Sequence, residues 1–257
     1  PYRYPLYGVP EDLITVDLTS LHPQLKGLRL KGKVVGNRLV PYDTRREITA
    51  KKDVKAPVLC WVDDPVDAFF LQIQGSGRVL LDDGTWMRVG YADQNGHPYR
   101  AIGGWLIENA GLTRDEMSMQ RIRRWVRENP KRMRELLNTN PNFVFFEERV
   151  GMGEADGPLG AQAVPLTPGA SVAVDRRYWR LGVPFVTEVT QDNPAMAFAR
   201  PVIAQDTGGA IRGVIRFDYF WGFGDIAGAQ AGRQKSRAHA WVLVPRGMKP
   251  SDIMTAR

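Results

Sequence analysis

The chain is poor in the residues that hold small proteins together by covalent or metal cross-links. One cysteine in 257 residues excludes an internal disulfide. Cys60 lies in the apolar run Val58-Leu59-Cys60-Trp61-Val62, where it reads as a small core hydrophobe. Three histidines, His22, His97 and His239, show no His-x-x-x-His or Cys-x-x-Cys spacing, so no metal site and no cofactor is expected. Long apolar runs are also lacking. The stretches Pro57 to Val62 and Ala68 to Ile73 stop far short of the ~20 residues of a membrane helix. Pro1-Tyr2-Arg3-Tyr4-Pro5-Leu6 shows neither a signal core nor a small-residue cleavage site, so any export signal has been removed or was never present. No repeat of fixed period appears, which argues against solenoids and propellers.

What is present is a globular composition, 43% hydrophobic and 25% charged, in a length that suits two domains of ordinary size. Lysine and arginine number 35 against 28 acidic residues, a net charge of +7, which points to an anionic partner. The densest basic segment, Arg121-Ile122-Arg123-Arg124-Trp125-Val126-Arg127, reads as the solvated face of an amphipathic helix. Nucleic acid is not expected, because no nucleic-acid module accompanies the charge.

Residues 13–92 read mainly as strands, with a clear hairpin of 78–81 and 85–89 around Asp82-Asp83-Gly84. In Phe69-Phe70-Leu71-Gln72-Ile73-Gln74 a period of two predicts a strand with one buried face and one face of amides. Helices are predicted from Ile102 to a stop at Gly111 and from Met119 to Arg127 behind Ser118. A capping box is expected at Thr113-Arg114-Asp115-Glu116, and a short helix from Pro130 to Leu137. The Gly- and Pro-rich residues 151–169 read as a linker. A second β domain follows, with strands at 171–175, 184–190, 202–205, 212–219 and 238–244. The expected domains are therefore residues 1–150 and 151–257.

Three aspartates in the second half stand at strand ends or beside glycine turns. Asp175 closes Val172-Ala173-Val174, Asp206 precedes Thr207-Gly208-Gly209, and Asp218 lies within Arg216-Phe217-Asp218-Tyr219-Phe220. If strand ends bring them together, mutual repulsion and partial burial would keep one member protonated as a general acid. Asp175 and Asp206 have an equal alternative as turn formers. Asp218 has none, since strands disfavour aspartate.

The segments Ala204-Gln205-Asp206-Thr207-Gly208-Gly209-Ala210-Ile211-Arg212-Gly213, Arg216 to Gly222 and Val172-Ala173-Val174-Asp175 together resemble the three-aspartate domain. Asp64 to Gly77, Asn95-Gly96-His97-Pro98-Tyr99-Arg100 and Phe143-Val144-Phe145-Phe146 resemble the substrate-binding insert of the membrane-bound lytic transglycosylase A family. The resemblance runs through nearly the whole chain in the family's order. It implies a mainly β, two-domain fold: a double-psi β-barrel carrying the aspartates, and a β-barrel-like insert with a few helices near 100–137, with glycan in a groove between them. It also implies a further segment before Pro1 that contributes to the barrel.

In function, the resemblance implies a periplasmic enzyme acting on peptidoglycan glycan strands. An outer-membrane lipid anchor on the segment before Pro1 and a monomeric state are expected with it. The last aspartate, Asp218, maps to the catalyst, and Asp206 and Asp175 become helpers that orient it or favour its protonated form. Gln74, Gly75, Ser76, Asn95, Tyr99 and Arg100 are the candidate sugar contacts; for several of them, turn chemistry is the plainer role. Trp221 and Phe223 suit either core or sugar stacking. Asp225 is expected to cap a short helix through Gly232. Two rival functions remain open: a β-1,4-glycan hydrolase with Asp218 as acid and Asp206 or Asp175 as base, and a noncatalytic wall-binding module.

Overall fold

A computed structural model of the chain describes residues 2–25, 30–153 and 156–255. The chain divides into two compact units, Pro1–Gly151 and Met152–Arg257. Residues 154 and 155 of the expected linker lie outside the described residues. The rest of that stretch is not a plain linker: Leu159 bridges Pro165, and Leu166 is buried.

The first unit starts with strand β1 (Tyr4–Tyr7) and an antiparallel meander of β2 (Ile14–Val16), β3 (Leu30–Val35) and β4 (Arg38–Pro41). Helix α1 (Arg45–Ala50) opens with a complete capping box between Thr44 and Glu47. Strand β5 (Val58–Val62) then returns to β1, with Leu6 opposite Cys60. Cys60 is partly buried and packs against the apolar cluster around Leu6, as its run predicts.

The next segment departs from the sequence-based expectation. Residues 69–74 belong to helix α2 (Pro65–Gln74), not to a strand. Asp64 accepts hydrogen bonds from the Val66 and Asp67 amides, Pro65 occupies the first turn, and Gly75 closes the helix at φ 78°. Over six residues the period of two is ambiguous, and the flanking Asp-Pro and Gly decide. The supposed amide face dissolves with the strand, leaving Gln72 buried and Gln74 exposed.

The expected hairpin forms from β6 (Ser76–Leu80) and β7 (Trp86–Gln94). Helix α3 (Ile102–Ala110) stops at left-handed Gly111. The Thr113–Glu116 capping box is present on a single 3-10 turn. Helix α4 (Met119–Glu128) is capped by Ser118, and a 3-10 turn from Pro130 leads into α5 (Met133–Leu137). These helices bury Ile102, Leu106, Ile122, Trp125 and Leu136 against Val66 and Phe69 of α2. Strand β8 (Val144–Glu148) completes the β6–β7 sheet. Its alternation sends Phe146 into the cluster around Leu6 and Phe145 into another with Tyr42, Ile48 and Phe143.

The second unit contains β9 (Ser171–Val174), β10 (Pro184–Gln191), β11 (Met196–Asp206), β12 (Phe217–Tyr219), α6 (Gly224–Arg233), β13 (Arg237–Val242) and α7 (Pro250–Ile253). Its sheet has the order β12-β9-β11-β10-β13. The strand expected over 212–219 shrinks to β12, because residues 207–216 form turns and loop after Asp206. One sheet face is the core, with Val172, Val174, Phe185, Val202 and Ala204 buried together. Helix α6 begins at Gly224 after Phe223, so the expected Asp225 cap is corrected: residue 225 stands within the first turn.

Candidate active site

Two of the three aspartates converge on one point of this sheet. Ala173 in β9 pairs with Asp218 of antiparallel β12 on one side. On the other it pairs with Asp206 of parallel β11, where a register irregularity precedes Asp206. The two aspartate backbones are thus two strands apart, roughly 10 Å. Side chains alternate along a strand, and Val172, Val174, Phe217 and Tyr219 all pack into the core. Ala173 and Asp218 must therefore face the opposite side of the sheet.

The environments of the three carboxylates differ sharply. Asp175 is sealed, with 1% of its side chain exposed, and pairs with Arg177 at 2.6 Å. It also accepts from the Gly213 amide at 2.8 Å, and with Arg177 first among the causes its pKa is held well below the usual carboxylate range. Asp206 accepts from the Ala161 amide at 2.9 Å, and burial raises its pKa above the usual value. Asp218 keeps 44% of its side chain exposed and pairs with Arg216 at 2.5 Å.

The expected mutually repelling cluster is therefore not what forms. Each carboxylate has its own partner, a cation for Asp175 and Asp218 and a backbone amide for Asp206. Among the described residues, no group of three or more His, Cys, Asp or Glu side chains is placed to hold a metal ion. Trp221 is partly buried: its ring meets Phe198 edge-on and Tyr219 at a tilt, and its indole donates to Gln234 at 2.8 Å.

Comparison with known proteins places the chain in a family. Residues 1–147 match the model of the MltA specific insert domain, and residues 170–244 match the 3D domain. The chain belongs to the MltA family. Membrane-bound lytic murein transglycosylase A of Escherichia coli is 37% identical over 208 residues, 78% of this chain and 55% of that protein. The Vibrio cholerae protein of the same name is 33% identical over 251 residues, 94% of this chain and 60% of its own. The chain thus spans little more than half the length of these relatives. Crystal structures agree: MltA from Neisseria gonorrhoeae superposes with TM-score 0.84 at 40% identity, over 96% of this chain and 69% of that one. E. coli MltA with bound chitohexaose gives 0.72 at 31%, over 94% and 65%.

Within the MltA insert, the expected sugar contacts fall into two groups. Gln74, Tyr99 and Arg100 are exposed, and Gly75 and Ser76 partly so; side chains and backbone at these positions are open to a ligand. Asn95 is not. It is 1% exposed, donates to the Asp43 and Pro141 carbonyls at 2.8 and 2.9 Å, and accepts from the Phe143 amide at 2.9 Å. Its amide ties three chain segments together and has nothing left for a sugar.

Sequence reasoning missed the residue that organises this region, Arg45. It is 4% exposed and donates from Nε to the Asn140 carbonyl and from Nη2 to Gln72 Oε1 and the Asn142 carbonyl. The rings of Phe69 and Phe143 lie 4.6 and 5.1 Å from its guanidinium carbon. Asn140 in turn accepts the Arg100 amide at 3.1 Å. The available signal was the Thr44 capping box, which places Arg45 at the first position of a helix too short to show a period.

Proposed function

We propose that this chain carries the catalytic aspartate of a lytic transglycosylase that cuts peptidoglycan glycan strands between N-acetylmuramic acid and N-acetylglucosamine. The observation that carries this reading is the unequal exposure of the three aspartates. Asp175 is sealed and fixed by Arg177, Asp206 is partly buried and held by a backbone amide, and Asp218, with 44% of its side chain exposed, is the most open of the three. A general acid must reach the glycosidic oxygen to within hydrogen-bond distance.

The chemistry needs one such group. Protonated Asp218 donates to the leaving glycosidic oxygen as the C1–O bond breaks. As carboxylate it then takes the proton from the C6 hydroxyl of the same muramic residue, whose oxygen bonds to C1. The nucleophile is intramolecular, so no second carboxylate is needed to activate water. The product is a 1,6-anhydromuramic end, and no water is consumed. Arg216 must release Asp218 before the proton is given; the pair is half exposed, where ion pairs are worth only ~0–1 kcal/mol. In this reading Asp206 and Asp175 hold the architecture around Asp218, and residues 1–150 supply glycan contacts through Gln74, Gly75, Ser76, Tyr99 and Arg100. The names of the E. coli and Vibrio cholerae relatives support an envelope location, and a periplasmic lipoprotein acting as a monomer fits it. Among the described residues no helix is long and apolar enough to cross a membrane.

The decisive experiment is a mass spectrum of muropeptides released from purified walls. Products one water lighter than those of a muramidase are expected, and reducing muramic ends would assign a hydrolase instead. Asp218→Asn should lower turnover by ~10²–10⁴-fold or more while the protein stays folded; near-normal lysis by that variant would remove Asp218 from the mechanism.

A further inference from the structure

A buried cation ordinarily has a buried anion beside it, because an uncompensated charge in an apolar surrounding is costly. Arg45 breaks that rule. All three of its hydrogen bonds go to neutral oxygens, two backbone carbonyls and one amide. The acids nearest in sequence are engaged elsewhere: Asp43 pairs with Lys33 and Lys51, and Glu47 closes the capping box on Thr44. Burial pushes the guanidinium pKa down to about 9, which leaves it charged at neutral pH.

One end of the guanidinium is also unused. Among the described residues Nη1 makes no hydrogen bond, yet it is not one of the sealed, partnerless polar atoms. It is therefore not fully sealed, although the residue as a whole is only 4% exposed, and it keeps two N–H donors on a side chain otherwise locked by Gln72, Asn140, Asn142 and two phenyl rings. The half-exposed Tyr99 phenol lies close enough to feel this charge. Tyr99 and Arg100 are among the sugar contacts proposed above.

We propose that Nη1 of Arg45 is a carboxylate-recognition site of the insert domain, taking a carboxylate borne by the muramyl branch of the glycan strand. The inference rests on the peptidoglycan reading and adds to it a subsite for charge. A carboxylate supplies the counterion that Arg45 lacks among the described residues, and a prelocked guanidinium loses little entropy in binding it. The carboxylate can come from a free lactyl group or from a stem peptide attached through that group.

The test compares three hexasaccharides of alternating N-acetylglucosamine and muramic acid: one with free lactyl groups, one with lactyl methylamides, and one carrying stem peptides. Binding to the intact chain is measured by calorimetry in low and high salt. One or both carboxylate-bearing ligands should bind about tenfold or more tightly than the methylamide, with the ratio shrinking as salt rises. Whichever ligand shows the gain identifies the source. In ¹⁵N-arginine spectra of the unmutated protein, the Arg45 side-chain resonances should move with that ligand and stay with the methylamide. Arg45→Gln should bring the ratio to one, and Arg45→Lys should retain part of it. Equal affinities for all three ligands, or a preference that leaves the Arg45 resonances in place, would overturn the proposal even if Arg45→Gln fails to fold. Failure to bind any of the three would instead overturn the peptidoglycan reading.

Discussion

Replacing Asn95 by alanine separates a sugar contact from a structural tie, and its cost can be worked from the structure. The side chain is 1% exposed and makes three good hydrogen bonds, two donated to the Asp43 and Pro141 carbonyls and one accepted from the Phe143 amide. Removal orphans a buried N–H, at ~1–3 kcal/mol, and weakens two carbonyls that have lost a donor, at ~0.5–1.5 kcal/mol each. The small cavity adds ~1 kcal/mol. Allowing for relaxation, the total is ~3–5 kcal/mol, a large part of the ~5–15 kcal/mol that a domain has. With a urea slope of ~2 kcal/mol/M, the midpoint of the first unit should fall by ~2 M. Urea titration followed by tryptophan fluorescence reads that shift, and native-state hydrogen exchange should show lost protection at the Phe143 amide. A midpoint within ~0.3 M of the parent, combined with a loss of glycan binding, would refute the structural assignment and restore Asn95 as a ligand.

Other substitutions test the remaining assignments. The Asp206 pKa is raised by burial, so its contribution to stability is present in acid and lost as pH rises through the raised value; Asp206→Asn should raise Tm at pH 7 and give no gain near pH 3. Asp175 is the reverse case, its pKa lowered by Arg177 and the Gly213 amide. It stabilises above the ordinary carboxylate value and loses that effect as pH falls through the lowered one. Asp175→Asn should therefore lower Tm at pH 7, with the gap to the parent closing in strong acid; a gap that widens in acid would contradict the assignment. Gly75→Ala puts a side chain at φ 78° where α2 ends, and a loss of ~1–2 kcal/mol in urea melts is expected. Asp64→Ala removes the cap of α2 and should cost ~1 kcal/mol by the same measurement.

How much of this was legible in the sequence depends on whether the deciding information was local. The helix stops and caps at Gly111, Thr113 and Ser118 were readable because caps act within four residues. The 78–89 hairpin was readable for the same reason. Helix α2 carried equally local signals in Asp64-Pro65 and Gly75, and misreading it came from letting a short period of two outrank them.

The site divides along the same line. That Asp218 needed a reason to stand in a strand followed from propensity, and it stands opposite Ala173 on the face away from the core. That Asp175 and Asp218 are each answered by an arginine two residues away was also within sequence range, as Asp175-Arg176-Arg177 and Arg216-Phe217-Asp218. Arg216, the residue just before β12, reaches Asp218 two positions on. A cluster of mutually repelling aspartates was the wrong inference once cations stood at that spacing. Arg45 is different in kind. Its partners Gln72, Asn140 and Asn142 lie 27 to 97 residues away, and nothing near Thr44-Arg45-Arg46 marks one arginine for burial and its neighbour for solvent. Only the closing of the chain buries Arg45 with no anion paired to it among the described residues, so its unmatched charge could be found in the folded molecule and nowhere earlier.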